Sequence, residues 1–469
     1  KDIIDNFDFM NTVKLMVKGG VLFVTLQEFN SAKADMSPDE STSADMGYIF
    51  EELIRKFSES YDEQAGAHFT SRDIIYLMTE LLVAPEKAEI MADGRTKTAY
   101  DMAMGTSQML GCLTERLKEI SADAELTCFG QEFNPETYAI AKADMLIKGG
   151  NASGMKYGDT LSEDAFTGYH FDYIISNPPF GIDWKREKTQ VEAEAKKGFD
   201  GRFGPGLPAI SDGQMLFMLN GVKKLKEGSG RMAIIQNGSS LFTGDAGSGA
   251  SEIRRYVITE DLVEAIIQLP TDLFYNTGIS TYIWVLTRGK PMHRSGKVQL
   301  IDASKCFVKR RKNIGSKRVD LDDACIELIL RAYEDFDNRA YEENGLIVES
   351  KVFDNSFFGF TKVTVETAQA DATGKPVLKK GKKQPVKGAS DTEIIPLSED
   401  IDSYMEKNVL PYNPLAYIDP AKDKIGYEIP FTRLFYKFVA PASSESIFEE
   451  IKALEAEETI LMKELFGHA

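Results

Sequence analysis

The sequence predicts a doubly wound α/β fold with a helical part before it and a helical interaction region after it. From Thr98 onward, short apolar runs of strand length alternate with segments whose apolar residues recur at helical spacing, the pattern of a parallel sheet covered on both faces. Ahead of that point, and again after residue 443, helical spacing continues without strands between. At 469 residues, with 43% hydrophobic and 27% charged side chains, the chain suits two or three folded domains, which excludes disorder as its dominant state.

Taken in order, Met46, Ile49, Phe50, Leu53, Ile54 and Phe57 line one face of a helix, with Ser43 and Asp45 as caps. A loop over 62–69 follows. Thr70-Ser71-Arg72-Asp73 then reads as a capping-box variant, the Thr70 hydroxyl accepting from backbone, and Ile74, Leu77, Met78 and Leu81 form the buried stripe of the helix it opens. Ala99-Tyr100 runs into Asp101 and a helix through Leu110, Leu113 and Leu117. The apolar run 126–129 leads to Glu132 and a helix that Asn134 caps and Pro135 begins. Segments 171–176, 232–236 and 265–269 supply further strands. After about residue 335 the alternation fades, and 374–388, basic and without an acidic residue, reads as a solvated insertion. In the closing helix, 443–466, Ile447, Leu454 and Leu461 repeat every seven residues, with Ile451 and Leu465 on a second seam. The expected divisions are the end of a helical N-terminal region (1–46), a central α/β domain (47–335), an irregular segment with the basic insertion (336–395) and a C-terminal region ending in a long helix (396–469).

Charge and composition exclude several classes. The 55 Lys+Arg against 73 Asp+Glu give −18 at pH 7, so nucleic acid is not held by a global positive field. A local patch or a partner has to hold it. Lys309-Arg310-Arg311-Lys312, with Lys317 and Arg318, fits such a patch, although this composition is commoner in a solvated loop. Cys112, Cys128, Cys306 and Cys325 lie far apart, and His68, His170, His293 and His468 do not cluster, so neither a disulfide framework nor a metal site is expected. No apolar run reaches the roughly 18 residues a bilayer requires, and the N-terminus lacks a basic region followed by an apolar one. The expectation is a cytoplasmic chain with no membrane partner.

The most informative stretch is Phe171-Asp172-Tyr173-Ile174-Ile175-Ser176-Asn177-Pro178-Pro179-Phe180. A buried strand that runs straight into Asn-Pro-Pro-Phe sets these residues at the carboxyl end of the sheet, where open α/β folds bind ligands. The prolines stiffen the backbone, so the Asn177 amide oxygen and the Pro178 carbonyl become a fixed acceptor pair suited to the two N–H groups of an exocyclic amine, with Phe180 stacking on the ring. A plain strand-ending turn uses the same residue types.

Asn-Pro-Pro-Phe after a strand resembles the signature of amino-group methyltransferases that use S-adenosylmethionine. The surroundings are similar to the modification subunit of type I restriction-modification systems. The similarity runs from about Met46 to Phe438. It rests on the blocks Met46-Gly47-Tyr48-Ile49-Phe50-Glu51-Glu52-Leu53-Ile54-Arg55, Gly66-Ala67-His68-Phe69-Thr70-Ser71-Arg72, Gly130-Gln131-Glu132-Phe133-Asn134, Phe274-Tyr275-Asn276-Thr277-Gly278-Ile279 and Ile425-Gly426-Tyr427-Glu428-Ile429-Pro430-Phe431-Thr432-Arg433.

The resemblance implies an S-adenosylmethionine-dependent methyltransferase fold and N6-adenine methylation of DNA. It implies Asn177, Pro178, Pro179 and Phe180 as the catalytic motif and S-adenosyl-L-methionine as the cofactor. Asp101, Gly105, Thr106, Ser107 and Gln108 would form the loop along its methionine part, Glu132 would take the ribose hydroxyls and Asp159 the adenine, while His68, Phe69 and Thr70 would cover the methionine end. Asn276-Thr277-Gly278 would turn beside the flipped base. Met102 stands where proline is usual, and Ser107 and Gln108 where glycines are usual, departures that leave the loop's shape and its cofactor affinity open. Implied partners are double-stranded DNA, a specificity subunit, a second copy of the modification subunit and, as an open option, a restriction (nuclease/translocase) subunit. Two other readings stand beside this one: methylation of another planar amine, on protein glutamine or an RNA base, and a non-catalytic scaffold with a degenerate cofactor loop.

Overall fold

The computed structural model describes residues 9–31, 34, 70–93, 95–275, 277–438 and 443–466. The expected helix over 46–57 and the loop over 62–69 lie outside these residues. Strands β1 (Thr96–Asp101), β2 (Glu125–Glu132), β3 (Met155–Tyr157), β4 (Tyr173–Ser176), β5 (Arg231–Asn237), β6 (Val263–Gln268), β7 (Thr281–Thr287) and β8 (Lys297–Lys305) belong to one sheet. After a separate hairpin, β9 (Val308–Ile314) and β10 (Lys317–Asp320), the strands β11 (Arg339–Glu343) and β12 (Leu346–Asp354) rejoin that sheet. Its order is β11-β12-β8-β6-β7-β5-β4-β1-β2-β3. β1 to β5 pair in parallel, whereas β7 runs antiparallel between β5 and β6. The sheet is therefore mixed.

In chain order the helices are α1 (Phe9–Lys18), α2 (Leu22–Phe29), α3 (Arg72–Val83), α4 (Lys87–Asp93), α5 (Gln108–Ile120), α6 (Pro135–Ile147), α7 (Lys188–Ala195), α8 (Gln214–Lys223), α9 (Ser239–Phe242), α10 (Gly249–Thr259), α11 (Asp323–Asp335), α12 (Ile401–Asn408), α13 (Phe431–Phe435) and α14 (Ser444–Phe466). The central strands are buried along their length, as in the all-buried Tyr-Ile-Ile-Ser of β4, because helices cover both faces. Successive residues divide between those faces: Tyr173, Ile175, Ala233 and Ile235 join the larger core with α3, α5 and α11. On the other face Gly221 of α8 lies against Met232, so close that a Cβ there would strike its sulfur. Asn134 caps α6 as expected, accepting from the N–H groups of Glu136 and Thr137, and Pro135 begins it.

A buried ionic group fastens the larger core. Arg231 of β5 pairs with Glu264 of β6 at 2.9 Å and donates to the Leu82 carbonyl of α3 (3.0 Å) and the Tyr333 hydroxyl of α11 (2.7 Å). Burial alone would neutralise Glu264, yet Arg231 and Arg294 hold its carboxyl below the ordinary range.

The stretch expected to be irregular, 336–395, is largely strand. β11 and β12 extend the main sheet, and β13 (Gly359–Ala368) heads a four-stranded antiparallel sheet. A small hairpin, β14 (Leu378–Lys379) with β15 (Lys382–Lys383), carries part of the basic insertion; β16 (Pro385–Pro396), β17 (Ala416–Ile418) and β18 (Lys424–Tyr427) each pair with β13. Apolar and polar residues alternate along this stretch because one face of the second sheet is wet, a weaker signal than the continuous apolar runs of β4 and β5. Arg254, fully buried in α10, donates to the carbonyls of Tyr427, Ser240 and Thr243, which binds this sheet to the helical layer.

The chain forms two units, Lys1–Pro430 and Phe431–Ala469. In the second, Ile447, Ile451, Leu454 and Leu461 of α14 are exposed. Among the described residues no single helix is long and apolar enough to cross a membrane.

Candidate active site

Neighbouring strands β1 and β4 lead the chain away to opposite sides, to β2 and β3 on one hand and β5 on the other. At such a reversal the loops part and leave a crevice beyond the strand ends. Asp101 ends β1 and Ser176 ends β4, and the Ser176 hydroxyl donates to Asp101 Oδ1 at 2.7 Å, tying the two ends together. The Ala103 N–H also donates to Oδ1 (3.1 Å), while Oδ2 is buried without a partner among the described residues. Burial pushes the Asp101 carboxyl up to about 7, against the pull of its two hydrogen bonds and with a further push from the charge of Glu132.

Glu132 closes β2. Its carboxylate accepts from the Gly105 N–H (2.9 Å) and the Asn134 N–H (2.8 Å), holding the loop after β1 against the end of β2. Within that loop Gly105 has φ +52° and Ser107 φ +67°, both left-handed. Ser107 thus adopts the backbone that glycine adopts freely, and the bend survives the replacement. Gln108 is different. It opens α5 in ordinary helical conformation, and its side-chain oxygen and nitrogen are both buried without a partner among the described residues. Met102 is buried, its carbonyl accepting from the Thr160 hydroxyl at 2.5 Å. Asp159 caps the turn beyond β3, accepting from the N–H groups of Leu161 and Ser162, both at 2.8 Å.

On the other side of the crevice, Asn177 donates its side-chain N–H to Thr70 Oγ1 at 2.9 Å, and its Oδ1 is buried without a partner among the described residues. Thr70 does not cap α3 as the sequence suggested. The N-cap position falls on Ser71, whose side chain makes no capping bond, and the Ile74 N–H is taken by Asp73. Pro178 is buried, Pro179 is exposed, and Phe180 is half-buried against the larger core.

One cavity of about 700 Å³ gathers most of the expected residues: Thr70, Asp101, Gly105, Thr106, Gln108, Glu132, Asp159, Asn177 and Pro179 all line it. Ser107, Pro178 and Phe180 are not among its lining residues, and Phe180 packs against the larger core instead. His68, Phe69 and Asn276 lie outside the described residues. The sequence reading missed Ile182, Asp183, Trp184, Arg186 and Glu187, which follow the motif, and Phe217 of α8, all of which also line the cavity. Trp184 is anchored there by donating to the Ala209 carbonyl at 3.0 Å. Phe133, adjoining Glu132, was legible as part of a matching block. Among the described residues no group of three or more His, Cys, Asp or Glu side chains is placed to hold a metal ion.

The family model described as N-6 DNA Methylase matches residues 41–365. The methylase subunit of the type I restriction enzyme MjaIX of Methanocaldococcus jannaschii is 26% identical over 271 residues, 57% of this chain and 46% of its own. The corresponding HindI subunit of Haemophilus influenzae is 27% identical over 345 residues, 71% of each chain. Among solved structures, the methyltransferase subunit of a type I restriction-modification system from Streptococcus thermophilus aligns with a TM-score of 0.54 at 28% identity, over 66% of this chain and 60% of that one. The chain spans about half the length of the first of these relatives.

Proposed function

Since the chain belongs to the N-6 DNA methylase family, we propose that it methylates N6 of adenine in double-stranded DNA as the modification subunit of a type I restriction-modification complex, with S-adenosylmethionine as methyl donor. The observation that carries this reading is the unpartnered, buried Oδ1 of Asn177 in the wall of the cavity that Asp101 and Glu132 also line. A buried acceptor without a donor costs about 1–3 kcal/mol, so a site that keeps one is built for a ligand that donates. An exocyclic amine is such a donor.

The residues present fit the cofactor. Asp101 Oδ2 and both polar atoms of the Gln108 side chain are buried and unpartnered among the described residues, an unmet demand for a charged, hydrogen-bonding ligand such as a methionine head, and Glu132 offers its carboxylate from the next strand. S-adenosylmethionine supplies an electrophilic methyl group on a sulfonium. Asn177 accepts from the adenine amine and fixes its direction, so that the nitrogen lone pair faces the donor side of the cavity. Pro178 offers its carbonyl as second acceptor, and the stiff Pro-Pro backbone holds the two acceptors at constant separation. None of these groups needs to be a strong base, because the amine loses its proton after it has gained the methyl. The target adenine leaves the duplex to reach them.

The bend kept at Ser107 supports a cofactor loop in working shape over a degenerate scaffold. The exposed apolar seam of α14 is proposed as the dock for a specificity subunit, which would supply the sequence reading that a chain of net charge −18 does not provide alone. The test is incubation with labelled S-adenosylmethionine and, in parallel, adenine-containing duplexes, glutamine-containing peptides or RNA, each with and without such a partner. Label recovered as N6-methyladenine supports the reading; label found instead in glutamine peptides or RNA overturns it.

A further inference from the structure

The basic residues of the β9–β10 hairpin divide into two sets with different surroundings. Lys317, 1% exposed, points inward: its ammonium donates to Ser71 Oγ (3.2 Å), Asp73 Oδ2 (2.9 Å) and the Leu273 carbonyl (3.0 Å). Arg310 pairs with Asp320 at 2.5 Å. The backbone is pinned as well, Ser316 N–H to the Tyr275 carbonyl and Arg318 N–H to the Asp272 carbonyl, both at 2.8 Å. Lys309, Arg311, Lys312 and Arg318 are exposed and form no ion pair among the described residues. Along β10 the two-residue period explains the split, with Lys317 and Val319 inward and Arg318 outward.

The anchor matters because of where it lands. Ser71 and Asp73, which hold Lys317, directly follow Thr70, the residue that orients Asn177. The hairpin is therefore fixed through Lys317 to the turn that follows Thr70, and the four exposed cations stand on it, Lys309 opposite Val319 and Arg318 on the other face, with the hairpin's carboxylate Asp320 already occupied. In a chain of net charge −18, four exposed cations on one anchored hairpin, without an ion pair among the described residues, are a local reversal of sign.

We infer that Lys309, Arg311, Lys312 and Arg318 form a ridge that grips the phosphate backbone of duplex DNA beside the cavity while the target base is out of the stack. This rests on the DNA-methylating reading above. Extruding a base leaves its flanking phosphates to be held in place, and binding to phosphate positions a duplex without reading its sequence. Each phosphate neutralised releases counterions, so the ridge has a signature in salt dependence.

The experiment compares the full chain with a variant carrying Lys309→Gln, Arg311→Gln, Lys312→Gln and Arg318→Gln. A charge-matched control carries Lys379→Gln, Lys380→Gln, Lys382→Gln and Lys383→Gln on the β14–β15 hairpin, part of a different sheet region. Fluorescence anisotropy with a labelled duplex is followed from about 50 to about 200 mM salt. The ridge variant should bind at least about tenfold more weakly at low salt, with the slope of log K against log salt smaller by about 0.9 for each phosphate that is no longer neutralised. The control should stay within about twofold of the parent, and single Lys309→Gln and Arg311→Gln variants should each flatten the slope by the share of one phosphate. Cofactor affinity by calorimetry should not change in any of them. Equal losses in ridge and control variants, an unchanged ridge variant, or no duplex binding by the parent would overturn the ridge. A parent that binds the duplex and the cofactor yet methylates no adenine would instead overturn the reading on which it rests.

Discussion

Asn177 and Thr70, 107 residues apart in sequence, meet through a 2.9 Å hydrogen bond in which the amide nitrogen donates to the threonine hydroxyl oxygen. That bond fixes which end of the carboxamide faces the cavity. Asn177→Ala is expected to abolish methylation while calorimetry finds cofactor affinity within about twofold, since one lost bond to the amine costs ~1–3 kcal/mol and the misdirected nitrogen adds to it.

Thr70→Val keeps the shape and removes the acceptor, so the Asn177 amide is free to turn its nitrogen toward the amine. A fall in kcat of about tenfold to a hundredfold is expected, with Thr70→Ser restoring most of it. Equal rates for the valine and serine variants would show that Thr70 does not orient Asn177.

Asp101 predicts a pH dependence with a definite sign. Its carboxyl, at 3.8 in its ordinary state, is pushed up to about 7 in the fold. Between those values the folded chain holds a proton that the unfolded chain has lost, so its contribution to stability is full below about 3.8 and is lost as pH rises through about 7. Urea midpoints from about pH 5 to about pH 8 should fall for the parent and fall less for Asp101→Asn. A cationic ligand beside this group would favour its ionised form, so S-adenosylmethionine should bind the parent more tightly as pH rises over the same range, a trend the Asn variant lacks.

Ser107 and Gln108 should respond in opposite ways to the return of glycine. The left-handed backbone of Ser107 costs roughly 1 kcal/mol, so Ser107→Gly should raise the unfolding free energy by up to that amount and leave cofactor binding unchanged. Gln108→Gly removes the unpartnered carboxamide, and calorimetry should register weaker cofactor binding, by about 1 kcal/mol or more. Tighter binding in Gln108→Gly would mean that the side chain obstructs the site.

Glu264→Gln would leave Arg231 in the core without its counter-charge. A loss of about 3–5 kcal/mol in denaturant unfolding is expected, the cost of stranding a buried ion.

Most of this was legible where the chemistry is local. Asn134-Pro135 carries its own cap, the continuous apolar run into Ser176 marks a doubly covered strand, and Asn177 and Glu132 sit where strand ends deliver them. Pairings over long separations were not legible. Thr70 reads as a helix cap until Asn177 arrives from elsewhere in the chain, and nothing local tells that Ser107 would bend like glycine. The strands over 339–396 escaped because their alternation is half polar and broken by lysines and glycines. Residues 182–187 escaped for another reason: a loop's place beside a cavity depends on the sheet beneath it.

The bond from Lys317 to Asp73 spans 244 residues, and through Ser71 it braces the turn that carries Thr70. A ribosome makes the chain from its amino end, so Thr70, Asp101 and Asn177 all emerge well before the residue that braces them. Until residue 317 clears the exit tunnel, the nascent chain holds the Asn-Pro-Pro-Phe motif on an unbraced support. The brace is therefore absent from any chain that ends before residue 317, and a product of premature termination there carries the motif without it.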